Sequence, residues 1–282
     1  MKHAELVAAG DGVHAAIAKP DRGAVGNAAI VDLGEETLVV DTHISPAAGR
    51  ELRAAAGELT GREAAWVVNT HWHADHVLGN REFPDAAIVS TARTRELMET
   101  LGVQRLAAQK EWLEAELQGE LERLRAGGDE EGAELLEAHA AELPTVEHRF
   151  PDETFAEDWT HRGAEAVTFG GGHTESDAFV LVPEAGVLVA GDLVVVGMQP
   201  WAGHGDPATW AAILDRLLEL EWDTCVPGHG PVSGRAVVPP LRDYLLALDE
   251  AVRSDASEPE LPARFAEWGQ RDMWATNVAA LR

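Results

Sequence analysis

Four side chains able to bind a metal, His71, His73, Asp75 and His76, fall within six residues of the stretch Asn69-Thr70-His71-Trp72-His73-Ala74-Asp75-His76. The stretch follows the apolar run Ala64-Ala65-Trp66-Val67-Val68, which reads as a buried strand, so its end is a rigid platform. In extended chain residues two apart point the same way; His71 and His73 can therefore converge on one ion while the following turn sends Asp75 and His76 to another. Imidazole and carboxylate without thiolate suit zinc, and also iron or manganese. A bound ion of this kind turns water into a nucleophile, so no serine or cysteine need attack. Consistent with that, the chain has no GxSxG elbow, and its one cysteine, Cys225, sits in an apolar strand as an inert core thiol. The competing reading is a loop of solvated histidines.

The rest of the chain must position these groups. Strands are expected at Val13–Ala18, Gly26–Asp32 and Glu36–Asp41, separated by Asp21-Arg22-Gly23 and Leu33-Gly34. A helix from about Pro46 to Leu59 leads to the motif strand; a short helix from Val77 ends near Asn80, and Ala86–Ser90 is the next strand. Between about 92 and 143 the pattern changes. Leu106, Leu113, Leu117, Leu121 and Leu124 recur at helical spacing, Gly127-Gly128 breaks the run, and Glu130–Ala141 resumes it. This reads as an inserted helical hairpin, which either packs on the sheet or on a second copy, or covers a substrate pocket with Trp112 and Met98 as lining. Strands return at Glu153–Asp158, Ala164–Phe169, Ala178–Val182 and Val187–Ala190, and Gly170-Gly171-Gly172 lets the chain turn sharply to bring His173 inward. Asp206 and Pro207 start a helix over Ala208–Leu220; Asp223–Val226 delivers His229; Pro239–Arg253 and the tail after Pro262 read as helical. No repeat or low-complexity linker divides the chain, so one domain over residues 1–282 is expected.

The HxHxDH run formed by His71, His73, Asp75 and His76 resembles that of the metallo-β-lactamase superfamily. Gly172-His173-Thr174, Gly191-Asp192 after Val187-Leu188-Val189-Ala190, and Pro227-Gly228-His229-Gly230 follow in that family's order. The pattern of elements alone supports a mixed α and β class. The resemblance implies an α/β (α+β) chain in a four-layer αββα sandwich, with metals at one edge of the sheets. It implies His71, His73 and His173 on a first ion, Asp75, His76 and His229 on a second, and Asp192 bridging the two divalent ions, zinc foremost. Asp41 matches a position where family members often carry an aspartate that supports the site, although a turn cap would explain it equally; His43, next to that strand end, is within reach of the site, with a surface imidazole as the simpler reading.

The expected chemistry follows. A hydroxide held between two ions would attack an acyl carbon, with Asp75 orienting it and helping to move a proton, and the second ion would hold the leaving oxygen or sulfur, or a substrate carboxylate. Aspartate at position 192 resembles the glyoxalase II and lactonase branches, whereas true β-lactamases usually carry cysteine or serine there, which favours ester, thioester or lactone cleavage. Departures are visible. Acyl-homoserine lactonases have tyrosine where this chain has Val195; its one tyrosine is Tyr244, and nothing after His229 resembles a glutathione site. The rivals are a β-lactamase opening a cyclic amide, a mononuclear iron persulfide dioxygenase, and a non-catalytic binding module, against which retention of all seven ligands argues. His204, in a glycine-flanked loop with Trp201 and Met198, is a candidate substrate donor.

Composition narrows the partners. With 22 basic and 49 acidic side chains and a net charge of -27, the chain would repel nucleic acid and anionic membrane surfaces, which disfavours the nuclease branch. A small acyl substrate is the expected partner, with homodimerisation through the insertion as an option. The opening Met1-Lys2-His3-Ala4-Glu5 lacks the pattern of a signal peptide and no apolar run approaches a membrane span, so a soluble cytoplasmic enzyme is expected.

Overall fold

Alternation along the strands sorts apolar side chains onto two faces, and those faces build the layers. The computed structural model of the chain describes residues 1–254 and 256–282. In it β1 (Ala4–Gly10), β2 (Val13–Ala18), β3 (Ala28–Asp32), β4 (Thr37–Val40), β5 (Trp66–Val68), β6 (Ala87–Thr91) and β7 (Glu153–Phe155) lie in that order in a seven-stranded sheet. A six-stranded sheet runs from β8 (Asp158–His161) through β9 (Ala164–Gly170), β10 (Asp177–Val182), β11 (Val187–Val195) and β12 (Thr224–His229) to β13 (Ser233–Gly234).

On β3 and β4, Val31, Leu38 and Val40 face the other sheet, while Ile30 and Val39 face outward. On β10 and β11, Val180 and Val189 point inward, with Phe179 and Leu188 on the outer face. The inner layer is mostly valine and alanine, small branched groups that let two sheets close together. Outside the first sheet, Leu52, Ala55 and Ala56 of α1 (Pro46–Thr60) cover Ile30, Val67 and Ile88. A short α2 (Ala74–Val77) carries the end of the histidine run, and α3 (Ala92–Leu97), α4 (Val103–Ala126) and α5 (Glu130–Glu142) form the insertion. The second sheet is covered by α6 (Pro207–Glu219), α7 (Val238–Arg253) and α8 (Met273–Leu281) through Trp210, Leu214, Leu241, Leu245 and Val278. The result is the expected four-layer αββα order.

Two strand pairs matter for the site. β4 lies parallel to β5, and β11 parallel to β12, so each pair ends together at one edge of its sheet. The sequence expectation is corrected in three places. β1 is an additional strand on the edge of the first sheet, half exposed, with no clean alternation to reveal it. Glu153–Asp158 is divided between β7 and β8, which lie in different sheets, because the chain crosses the sandwich at Ala156-Glu157. β11 continues past Ala190 to Val195, so Asp192 stands within a strand.

The insertion is anchored at both ends. Its helices are joined by Gly127-Gly128, with Gly128 in the left-handed region at φ 79°. Asp129 caps α5 by accepting from the backbone of Gly132, and the same carboxylate receives both Nη groups of Arg22, at 2.6 and 2.7 Å. Leu106 and Leu113 of α4 pack on Leu78, Leu143 and Val146. Among the described residues no helix is long and apolar enough to cross a membrane. Replacing Phe179, fully buried between the second sheet and its helices, by alanine should cost about 3–5 kcal/mol in chemical denaturation; a loss under about 1 kcal/mol would mean that this outer layer is not tightly packed.

Candidate metal centre

Each loop at this edge is held by a polar side chain that hydrogen-bonds its backbone. Asp41 follows β4 in a left-handed conformation, φ 58°, unusual for a residue other than glycine. Its carboxylate accepts from the Thr70 backbone at 2.8 Å and from the Thr70 hydroxyl at 2.7 Å, which pins the start of the histidine run. It also lies 2.7 Å from His76 Nδ1, so His76 Nε2 is the nitrogen left facing the centre. Asp177 fixes the next loop by accepting from the backbones of Gly172 (2.8 Å) and Thr174 (3.0 Å) and from the Thr174 hydroxyl (2.8 Å). That fold turns His173 inward. Asn27 fixes the third by donating to the carbonyls of Pro227 and Gly230, both at 2.9 Å, on either side of His229.

The seven side chains expected at the site meet. Asp192 stands in the middle: Oδ2 is 3.2 Å from His173 Nε2, 3.3 Å from His229 Nε2 and 3.9 Å from His71 Nε2, and Oδ1 is 3.2 Å from His76 Nε2. Asp75 Oδ2 is 3.3 Å from His229 Nε2 and 3.5 Å from His76 Nε2. His73 turns Nδ1 toward His173 Nε2 at 3.0 Å. Ligand atoms of His71, His73, His173 and Asp192 all lie within 4.8 Å of one another, and those of Asp75, His76 and His229 do the same. Asp41, His71 and His76 form a third such group, but Asp41 is committed to Thr70 and His76.

This arrangement fits a cation. His71 Nε2, His76 Nε2 and Asp192 Oδ1 are buried and find no well-formed hydrogen bond within the protein, His76 Nε2 and Asp192 Oδ1 facing each other only as an ion pair at 3.2 Å. An unsatisfied buried polar atom costs about 1–3 kcal/mol, so three aimed at one another point to something they bind together. The electrostatics agree. Burial keeps the His71 and His73 rings well below the usual imidazole range, which leaves their lone pairs available. Burial opposes charge on Asp75 and Asp192, yet the surrounding imidazoles outweigh it and hold both carboxyls well below their usual range. Conversely, burial would lower His76 and His229, but Asp192 and Asp75 lift His76 well above its range and His229 to about 10. Those two rings hold protons that a divalent ion would displace.

A cleft of about 360 Å³ opens on His73 and Asp75, with walls from Trp72, Trp201, His204, His148 and Arg105. His204 Nδ1 is 2.8 Å from His73 Nε2, and His204 Nε2 is 2.5 Å from Arg105 Nη2. His204 therefore borders the site, with its ring held between Arg105 and the His73 ring, which carries a candidate ligand atom. Three expectations are corrected. His43 is fully buried: its left-handed backbone, φ 65°, folds it inward, Nδ1 lies 2.7 Å from the Gly26 carbonyl, and burial pushes its pKa down to about 4. Met98 lies beneath the cleft, packed on Trp72, Val77 and Leu97. Trp112, 56% exposed, lines a separate groove with Val25 and Leu136. Val195 is buried beside His229 in the strand register, and Tyr244 is in the outer core against Phe265 and Trp274. Cys225 is buried, and burial pushes its thiol far up, as an inert thiol requires.

Thr70, Asn27, Trp72, His148 and Arg105 carry no sequence signal of their own. Thr70 and Trp72 stand inside the histidine run, so proximity was the available clue; Asn27 and Arg105 act across the fold.

A family model described as the metallo-beta-lactamase superfamily matches residues 21–229. The chain is 25% identical over 232 residues to a linear primary-alkylsulfatase of Pseudomonas sp. (strain ATCC 19151), covering 74% of this chain and 42% of that protein. The chain thus spans less than half the length of this relative. Similar solved structures include the DIM-1 metallo-beta-lactamase, with TM-score 0.63 and 18% identity over 86% of this chain and 97% of that one. FIM-1 from Pseudomonas aeruginosa, in its mono-zinc form, gives 0.62 and 17% over 87% and 96%. A metallo-beta-lactamase from Pontibacter korlensis gives 0.60 and 20% over 86% and 99%. At these identities the structural likeness is one of fold.

Two substitutions test how the centre is built. A Cβ on Gly228 would lie 1.9 Å from Asp192 Oδ1, so Gly228→Ala must displace that carboxylate. Asp41→Asn weakens the acceptor behind His76 without adding bulk and should lower zinc affinity about 10- to 100-fold in a chelator competition. Gly228→Ala should lower it at least as far, and wild-type affinity in both variants would contradict this geometry.

Proposed function

The chain belongs to the metallo-β-lactamase superfamily of metal-dependent hydrolases, and from that premise we propose that it cleaves a small ester, thioester or lactone with two divalent ions, zinc foremost. The observation that carries this reading is Asp192, a single buried carboxylate in contact with imidazoles of both ligand groups. His71, His73 and His173 would hold one ion, Asp75, His76 and His229 the other, and Asp192 would serve both. Hard and borderline donors with no sulfur suit zinc in a hydrolytic role.

Ions held there would lower the pKa of a water from about 15.7 to about 7 and polarise the oxygen of the scissile group. The side chains do the rest. Asp75 is the carboxylate at the mouth of the cleft, and with one oxygen against His76 and His229 it can orient a water and carry a proton toward the leaving group. Trp72 and Trp201 form an apolar wall that excludes bulk water and strengthens each polar contact inside. Asp41, Asp177 and Asn27 hold the loops, so the donors are arranged before substrate arrives.

The likeness to an alkylsulfatase supports a second reading, cleavage of a sulfate ester at the same centre. Purified protein of known metal content should be assayed on a lactone, a thioester, a simple ester, a β-lactam and an alkyl sulfate, with and without chelator. Chelator-sensitive cleavage of the acyl oxygen or sulfur esters with the lactam untouched supports the proposal. Cleavage confined to the sulfate supports the second reading. Cleavage confined to the lactam, or oxygen consumption with a persulfide and no hydrolysis, overturns both. Within the same assay Asp75→Ala should lower kcat by at least about 100-fold even in protein that retains metal; near-normal turnover would remove Asp75 from proton transfer.

A further inference from the structure

Arg105 differs from every other arginine among the described residues. Fourteen of the nineteen form ion pairs with carboxylates, such as Arg22 with Asp129 and Arg149 with Asp152. Arg235 and Arg282 donate to backbone carbonyls, and Arg216 and Arg264 lie over the rings of Phe169 and Phe265. Arg105 makes a single hydrogen bond, to a ring nitrogen of His204, and no ion pair among the described residues, although a guanidinium carries five N–H donors. It is exposed, and it forms part of the wall of the cleft over the ligand cluster.

Its surroundings make this cation conspicuous. The chain carries a net charge of -27, so an anionic substrate meets a repulsive surface nearly everywhere. Screening over about 8 Å at physiological salt mutes those distant charges and leaves the cleft to its own residues. The cleft wall holds one carboxylate, Asp75, and it is already paired with His76 and His229. The helix that presents Arg105 is also specialised: a π-helical turn, Met98–Gly102, joins α3 to α4, and Gly102 lines the cleft beside Arg105. Such turns re-aim the residues that follow and gather at functional sites.

We propose that Arg105 anchors a carboxylate at the end of the substrate remote from the scissile bond. The hydrogen-bonded path from Arg105 through His204 to His73 spans two contacts and two imidazole rings, roughly 10 Å at most from the cluster-facing nitrogen of His73. The anchored carboxylate is thus separate from the reacting group. A guanidinium suits this role because its planar fork matches a carboxylate in two parallel hydrogen bonds. Arg105 acts here as a binding and specificity residue, which deepens the ester-hydrolase reading and rests on it.

The test compares 4-nitrophenyl monoesters of straight-chain diacids with esters of monoacids of equal length, over five to ten carbons. Wild-type protein should favour the diacid member by at least about tenfold in kcat/KM, most strongly in the longer compounds. Arg105→Gln should abolish the preference, chiefly through KM, and Arg105→Lys should retain part of it. Wild-type metal content and melting temperature in both variants show that the fold is intact. Absence of any diacid preference in active wild-type protein, or its persistence in Arg105→Gln, overturns the proposal. If metal-loaded protein cleaves none of the esters, the simple-ester reading fails by itself. Binding of suberate, an uncleavable dicarboxylate, then decides on Arg105: at least about tenfold weaker binding to Arg105→Gln supports the anchor, and equal binding overturns it.

Discussion

A buried carboxylate is the constraint on which the rest of the molecule depends. Asp192 is 6% exposed in the middle of β11, and removing a carboxylate from water costs several kcal/mol unless opposite charge and hydrogen bonds replace the solvent. Four imidazoles from three separate segments approach it, His71 and His76, His173, and His229. None of those segments is adjacent to β11 in sequence. The two sheets must therefore stack with their parallel strand ends at a common edge, and the small side chains of the inner layer permit that close approach.

Around this cluster lies a set of polar groups that would never touch substrate. Asp41, Asp177 and Asn27 each satisfy several backbone or hydroxyl partners and each holds a different loop. Left-handed backbone at Asp41 and His43 is the strained part, sustained by these bonds and by burial. Glycine appears where a side chain would collide with the centre: a Cβ on Gly26 would lie 2.6 Å from His76 Nε2, and one on Gly205 2.0 Å from the Gly172 carbonyl. The helical insertion supplies one wall of the cleft, and its tip is tied to the loop between β2 and β3 through Arg22 and Asp129.

Much of this was legible in the chain. The histidine run, the glycine-flanked His173 and the strand endings before Asp192 and His229 carry local signals, because a ligand at a strand end needs a strand, a turn and a small neighbour in fixed order. What was hidden depends on partners distant in sequence. His43 reads as a surface imidazole until the turn at Asp41 folds it inward. Glu153–Asp158 reads as one strand because alternation reports a face and not a sheet. Met98 and Trp112 are apolar residues on the insertion, and helical period alone does not tell that neither of them lines the cleft. Arg105 lies in a surface helix rich in charge, where nothing local distinguishes it from its neighbours; its isolation from carboxylates is a property of the folded chain.

The central claim is that two ligand groups share Asp192. Its most direct test is to count zinc in protein that has been saturated and then freed of excess ion, for the wild type and for His229→Ala, by elemental analysis against protein concentration. Two ions per wild-type chain and one in the variant, with the first group left intact, are the predicted result. One ion per wild-type chain under saturating zinc, or two retained without His229, would contradict a centre built from two groups around a common carboxylate.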